Sequence, residues 1–247
     1  MKNLFYFVSL FPKSFFVALV DLYLFLKIYK YFSSYKVTIA NIRIAYPERN
    51  KSDLELLSKL SIKESIISGF ESIYTWGRNE HEVNKNILRI ENNFLVNNLK
   101  DNGLICVSFH NRSVDMLLSW MNSKHTTHSL YKKVKNKALN NFIKDRRESG
   151  FSKCYETTIA GVRNIFNALK NKNIVCFAAD QVPQRGLGEH INFFNRGAYS
   201  TTLVQSLAVK TLAPVIYFYI QTNHDNKICI YLKQCSDSIY DDSKHKL

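Results

Sequence analysis

Residues 104–115 run Leu-Ile-Cys-Val-Ser-Phe-His-Asn-Arg-Ser-Val-Asp. The apolar run from Leu104 to Phe109 follows Asn102-Gly103, a turn signal, and is too short for a helix. It predicts a buried strand. A helix is predicted after it, from about Ser113 to Met121. The alternation then continues down the chain. Thr126 to Tyr131 reads as a second strand, and Asn136 to Glu148 as a basic helix stopped by Gly150. Ile159, Val162, Ile165, Phe166 and Leu169 share one helix face ahead of a buried strand at Ile174 to Ala179. Gly197 to Lys210 reads as helix, Pro214 to Ile220 as strand and Lys227 to Leu232 as an edge strand. Strands alternating with helices predict an α/β fold: a mixed, largely parallel sheet flanked by helices. Sites in such sheets form at the carboxyl ends of strands, which directs attention to the residues just after Phe109 and Ala179.

Upstream, Ser52 to Trp76 predicts one long helix with a Ser52–Glu55 capping box and a face of Leu56, Leu60, Ile67, Phe70 and Tyr74. Another helix is expected from Glu91 to Lys100. The N-terminus differs in character. Leu4 to Phe32 is apolar and aromatic, interrupted by Pro12, Lys13, Asp21 and Lys27. No part reaches the roughly 20 uninterrupted apolar residues of a spanning helix, and no secretory leader is expected. The stretch predicts an apolar helix capped by Ser14, with Phe15, Ala18, Leu19, Leu22 and Leu26 on one side. Lys2, Lys13, Lys27, Lys30 and Lys36 surround it, a pattern suited to an anionic membrane surface; a buried core helix is the plainer alternative. The expected division is residues 1–35 as a membrane-associating segment and 36–247 as the α/β domain.

Composition narrows the partners. In 247 residues, 34 Lys and Arg against 20 Asp and Glu give a formal charge of +14, which favours anionic lipid, an acidic protein or nucleic acid. Apolar residues at 46% exclude wholesale disorder, and a mean hydropathy of −0.20 excludes a polytopic membrane protein. The cysteines, Cys106, Cys154, Cys176, Cys229 and Cys235, are odd in number and contain no CxxC. They predict neither a disulfide framework nor a zinc site.

Three constellations could carry chemistry. His110 ends a strand with Asp115 five residues on, where a carboxylate could fix the imidazole tautomer and leave the other nitrogen as general base. A structural histidine capping the helix is the simpler alternative. Asp180-Gln181 ends another strand; it could orient a cation, or merely begin a turn. Lys132 to Arg147 is strongly cationic, with Lys132, Arg146 and Arg147 able to grip phosphate, or to form a solvated helix face. There is no P-loop, HExxH or GxSxG, so no nucleophile or metal is indicated. Activation of a substrate hydroxyl by histidine remains.

The ordered set resembles the late acyltransferases of lipid A biosynthesis, a branch of the lysophospholipid acyltransferase superfamily. The residues are Asn41 to Pro47, His110 to Asp115, Tyr131-Lys132, Arg146-Arg147, Gly161-Val-Arg163 with Ala168-Leu-Lys170, Asp180-Gln181, Asn192-Phe-Phe194 and Ala213-Pro-Val215. The resemblance covers roughly residues 36 to 220. It implies transfer of a fatty acyl chain from acyl carrier protein to a hydroxyl of an acylated glucosamine lipid, at the cytoplasmic face of the inner membrane. By that resemblance His110 is the base with Asp115 as its partner. Arg147 and Asp180 form a substrate-positioning pair, with Lys132, Arg146 and Gln181 also on the substrate. No metal or cofactor is implied beyond the acyl donor, as carrier-protein or CoA thioester. The expected partners are acyl carrier protein, an anionic glycolipid or phospholipid, and the membrane, without nucleic acid. Asp115 stands where this branch usually has Glu, and the C-terminus at Lys246-Leu247 is expected to be shortened. A lysophospholipid acyltransferase and a non-catalytic lipid-binding relative are the alternatives.

Overall fold

The computed structural model describes residues 2–223 and 227–241. The chain end at Lys246-Leu247 and the Lys2 side chain lie outside the described residues. The chain opens with α1 (Lys2–Ser9) and α2 (Lys13–Phe25), which meet at 85°. Proline disfavours helix in the residue before it, so α1 stops short of Pro12 and α2 starts after it. The helix expected with Ser14 as its cap is α2, but Pro12 holds the cap position and Ser14 lies inside the first turn. No single helix among the described residues is long and apolar enough to cross a membrane. The boundary expected at residue 35 falls within α3 (Ser33–Ala45).

α1, α2 and α3 all pack on α4 (Lys51–Gly77). The cap of α4 is Asn50, whose side chain accepts the Asp53 N–H at 2.9 Å, not Ser52. Glu55 consequently does not close a capping box; it receives Lys30 Nζ at 3.0 Å. Its buried face runs through Leu54, Ile62, Ile67 and Phe70, while the predicted Leu56 and Leu60 are exposed. α5 (Glu80–Asn84), β1 (Ile87–Glu91) and α6 (Phe94–Leu99) follow. The helix expected from Glu91 is shorter because β1 occupies its start.

The α/β body then runs β2 (Leu104–Ser108), α7 (Val114–Asn122), β3 (Thr127–Tyr131), α8 (Lys137–Arg147), β4 (Lys153–Glu156), α9 (Ile159–Lys170) and β5 (Ile174–Ala178). A hairpin of β6 (Gly188–Phe193) and β7 (Arg196–Thr201) precedes α10 (Leu203–Thr211), β8 (Val215–Thr222) and β9 (Ile228–Gln234). The helix expected from Gly197 thus begins only at Leu203, because Arg196 to Thr201 pair back on β6 across a turn at Phe194-Asn195. Both turn residues have positive φ, 51° and 56°, as a two-residue hairpin loop requires.

Seven strands form one sheet in the order β1-β9-β8-β2-β5-β3-β4. Every pairing is parallel except β8 with β9, so the fold is α/β with a mixed, mostly parallel sheet. β9 is not an edge strand: β1 covers it. β2 is buried along its whole length, and its alternate residues feed two cores. Leu104 and Cys106 join Met116, Trp120 and Phe218 on one side; Ile105 and Val107 join Ile165, Leu169 and Leu207 on the other. Gly161 lets α9 approach β4, since a β-carbon there would collide with the Glu156 carbonyl oxygen.

Candidate active site

β2 and β5 are parallel neighbours paired in register, with Ser108 opposite Ala178. Two residues beyond each strand lie His110 and Asp180, so equal extension brings them face to face. His110 Nδ1 is 2.7 Å from Asp180 Oδ1, and the His110 backbone N–H donates to Asp180 Oδ2, also at 2.7 Å. Burial pushes the Asp180 carboxyl up, but the backbone and imidazole N–H groups of His110 outweigh it and hold the carboxyl below its ordinary range. Gln181 Nε2 lies 3.4 Å from His110 Nε2, the nitrogen turned away from Asp180.

Asp115 occupies the first turn of α7, where the Ser113 cap accepts the Met116 N–H at 3.2 Å. That turn carries its side chain toward α8 instead of the strand ends. Arg147, in the last turn of α8, donates to it from Nε at 2.6 Å and from Nη2 at 3.2 Å. Asp115 is 8% exposed, and burial of the pair pulls the Arg147 guanidinium down while the Asp115 carboxylate more than restores it above its ordinary value. The predicted pairs, His110 with Asp115 and Arg147 with Asp180, are therefore exchanged. Spacing along the chain suggested the first pair; strand register and the α7–α8 contact determine the observed ones.

Two cavities meet at this junction, of about 310 and 290 Å³, sharing His110, Val114, Tyr131, Lys132 and Arg147. The larger is walled by Leu118, Leu130, Phe177, Val182 and Leu203 and carries Gln181. The smaller carries Ser68, Ser72, Arg112, Asp115 and Asn140 beside Trp76, Val134 and Ile143. Lys132 reaches both because it directly follows β3, the neighbour of β5. Arg146 is not brought to the site; its Nη2 donates to the Arg78 carbonyl at the end of α4.

Sequence reasoning missed Arg112 and Glu71. Arg112 Nη2 donates to Glu71 Oε1 at 2.8 Å, and Nη1 to Glu64. Arg112 stands inside the quoted 104–115 stretch, but its partners lie on α4, 41 and 48 residues away, where no periodic signal points to them.

A comparison with curated proteins finds no match. The family model for bacterial lipid A biosynthesis acyltransferases matches residues 4–244, nearly the whole chain. This chain belongs to the bacterial lipid A biosynthesis acyltransferase family.

Proposed function

We propose that the protein transfers a fatty acyl chain from a carrier-protein thioester to a hydroxyl of a lipid A-type glycolipid, with His110 as general base. The observation that carries this is the Asp180–His110 pair where two cavities meet, one of them walled by Leu118, Leu130, Phe177, Val182 and Leu203. An ionised carboxylate only accepts hydrogen bonds, so Asp180 holds the proton on Nδ1 and leaves Nε2 as an acceptor, which the Gln181 amide meets at 3.4 Å until a substrate hydroxyl takes its place. Nε2 takes the acceptor's hydroxyl proton as its oxygen attacks the thioester carbonyl. The tetrahedral intermediate then collapses, the C–S bond breaks, and the imidazolium returns the proton to the departing thiolate. Asp180 stabilises that imidazolium throughout. Asp115 holds the Arg147 guanidinium at the rim of both cavities, where with Lys132 it faces the anionic substrate.

The apolar walls of the larger cavity suit an acyl chain. No cofactor enters the scheme other than the thioester donor, for which acyl carrier protein, acidic by class, matches the cationic surface. The N-terminal helices support attachment to the cytoplasmic face of the inner membrane: Phe7, Phe11, Phe15, Leu19, Leu22 and Phe25 are all exposed. An acylation assay with carrier-protein thioester and an acylated glucosamine lipid tests the reading. His110→Ala should lose about 10²–10⁴-fold in turnover. Near-wild-type turnover by this variant would overturn the mechanism, and turnover only with lysophospholipid would reassign the acceptor.

A further inference from the structure

Glu71 and Arg112 are charged side chains in the protein interior, with side-chain exposures of 2% and 4%, joined at 2.8 Å. Burying such a pair costs desolvation on both sides, and replacing it with apolar side chains is often neutral or stabilising. Stability alone therefore does not account for it. Its position does more. Arg112 sits two residues after His110 and three before Asp115, so the ion pair pins the backbone between them. A second tie joins the same places: Ser113 Oγ lies 2.9 Å from Ser72 Oγ on α4.

The chain of charges continues outward. Lys13 Nζ donates to Glu71 Oε1 at 2.8 Å. Lys13 is the first residue of α2, directly after the Pro12 bend. Lys13, Glu71, Arg112 and Glu64 thus form a neutral set of two cations and two anions. Among the described residues, Glu71 Oε2 and Arg112 Nε have no hydrogen-bond partner, so the set is not saturated and depends on each member.

We infer that Arg112 and Glu71 are positioning residues for the His110–Asp115 loop, and that Lys13 makes their hold depend on the seating of α2 against α4. Placement of the base is then linked to docking of the N-terminal segment. Only the kinetic arm of this inference rests on the acyltransferase reading.

The test is backbone hydrogen exchange by mass spectrometry on the full chain in detergent, read at the hydrogen-bonded amides of His110 and Met116. Lys13→Met should speed exchange there by about fivefold or more, while the amides of β2 and α9 keep wild-type rates. The pair replacement Glu71→Leu with Arg112→Met should hold a melting temperature near wild type yet show the same acceleration. Its kcat should fall about tenfold with donor KM within about twofold, the signature of lost positioning without lost binding. Wild-type exchange and wild-type kcat in the pair replacement would make the pair structural and overturn the inference. Should that protein not fold, Arg112→Lys, which keeps the charge but loses the fork, decides in its place: intermediate exchange supports positioning and wild-type exchange overturns it. Unchanged exchange in Lys13→Met overturns the link to the N-terminal segment. If the wild-type protein shows no acyl transfer, the functional reading fails while the exchange arm still decides this inference.

Discussion

Asp180→Asn keeps the shape of the side chain and removes the charge that fixes the His110 tautomer. Its kcat should fall about 10²–10⁴-fold, and combining it with His110→Ala should cost little beyond His110→Ala alone, because groups acting as a unit are not additive. Asp115→Asn should act differently: it frees Arg147 and raises acceptor KM more than it lowers kcat, and steady-state kinetics with varied acceptor separate the two. Asp180 also predicts a pH dependence. Its folded carboxyl titrates below the unfolded value of about 3.9, so its contribution to stability is present above that pH and drains away as pH falls through the lower folded pKa. Thermal melts between pH 5 and pH 3 should therefore fall less steeply for Asp180→Asn than for wild type. At this scale the sequence pointed to side chains that the structure gathers, but not to how they pair. His110, Asp115, Arg147 and Asp180 all stand at the junction, yet a five-residue spacing along the chain says nothing about a strand neighbour 70 residues away. Arg146, drawn in by a cationic run, turns to the Arg78 carbonyl instead.

Among elements, α2 packs one side against α4 and leaves the other exposed. Val20 and Leu24 are buried beside Ile62 of α4, and Phe16 stacks on Phe70 at 4.4 Å between ring centroids. The opposite side of α2 presents Leu22 at 52% and Phe25 at 76% exposure. A charge placed on that side should leave the fold alone and weaken membrane partition. Leu22→Lys or Phe25→Lys should each reduce binding to anionic phospholipid vesicles about tenfold or more, with an unchanged melting temperature, since each removes roughly 1.5–3 kcal/mol of apolar burial. Vesicle co-sedimentation reads the first and calorimetry the second. β2 and β5 were legible because they are continuous apolar runs bounded by turn signals. β1 and β4 were not, being short strands at the two margins of the sheet with half-exposed, charge-bearing residues. β7 reads as helix from its small residues, and only its pairing with β6 makes it a strand.

The molecule as a whole is a cationic body, +14 in formal charge, with apolar helices on one flank. Two forces would act on the proposed membrane binding, and salt separates them. Vesicle affinity should drop as ionic strength rises and the Debye length shrinks from about 10 Å at 0.1 M to about 3 Å at 1 M, then level off at the apolar contribution. An affinity independent of salt would remove the cationic surface from the account. The α/β architecture was legible in the alternation of strands and helices, and the two-sided core follows from the inside-outside pleat of β2. The parallel register of β2 with β5 has one more consequence, for synthesis. Two parallel strands adjacent in a sheet come from distant parts of the chain, and here α7, β3, α8, β4 and α9 all intervene. A nascent chain that has emerged only through α9 already carries His110, Asp115 and Arg147, yet it holds an imidazole with no carboxylate to orient it. The His110–Asp180 contact can form only once β5 slots in beside β2. Under the proposed mechanism, a half-made polypeptide cannot yet activate a hydroxyl.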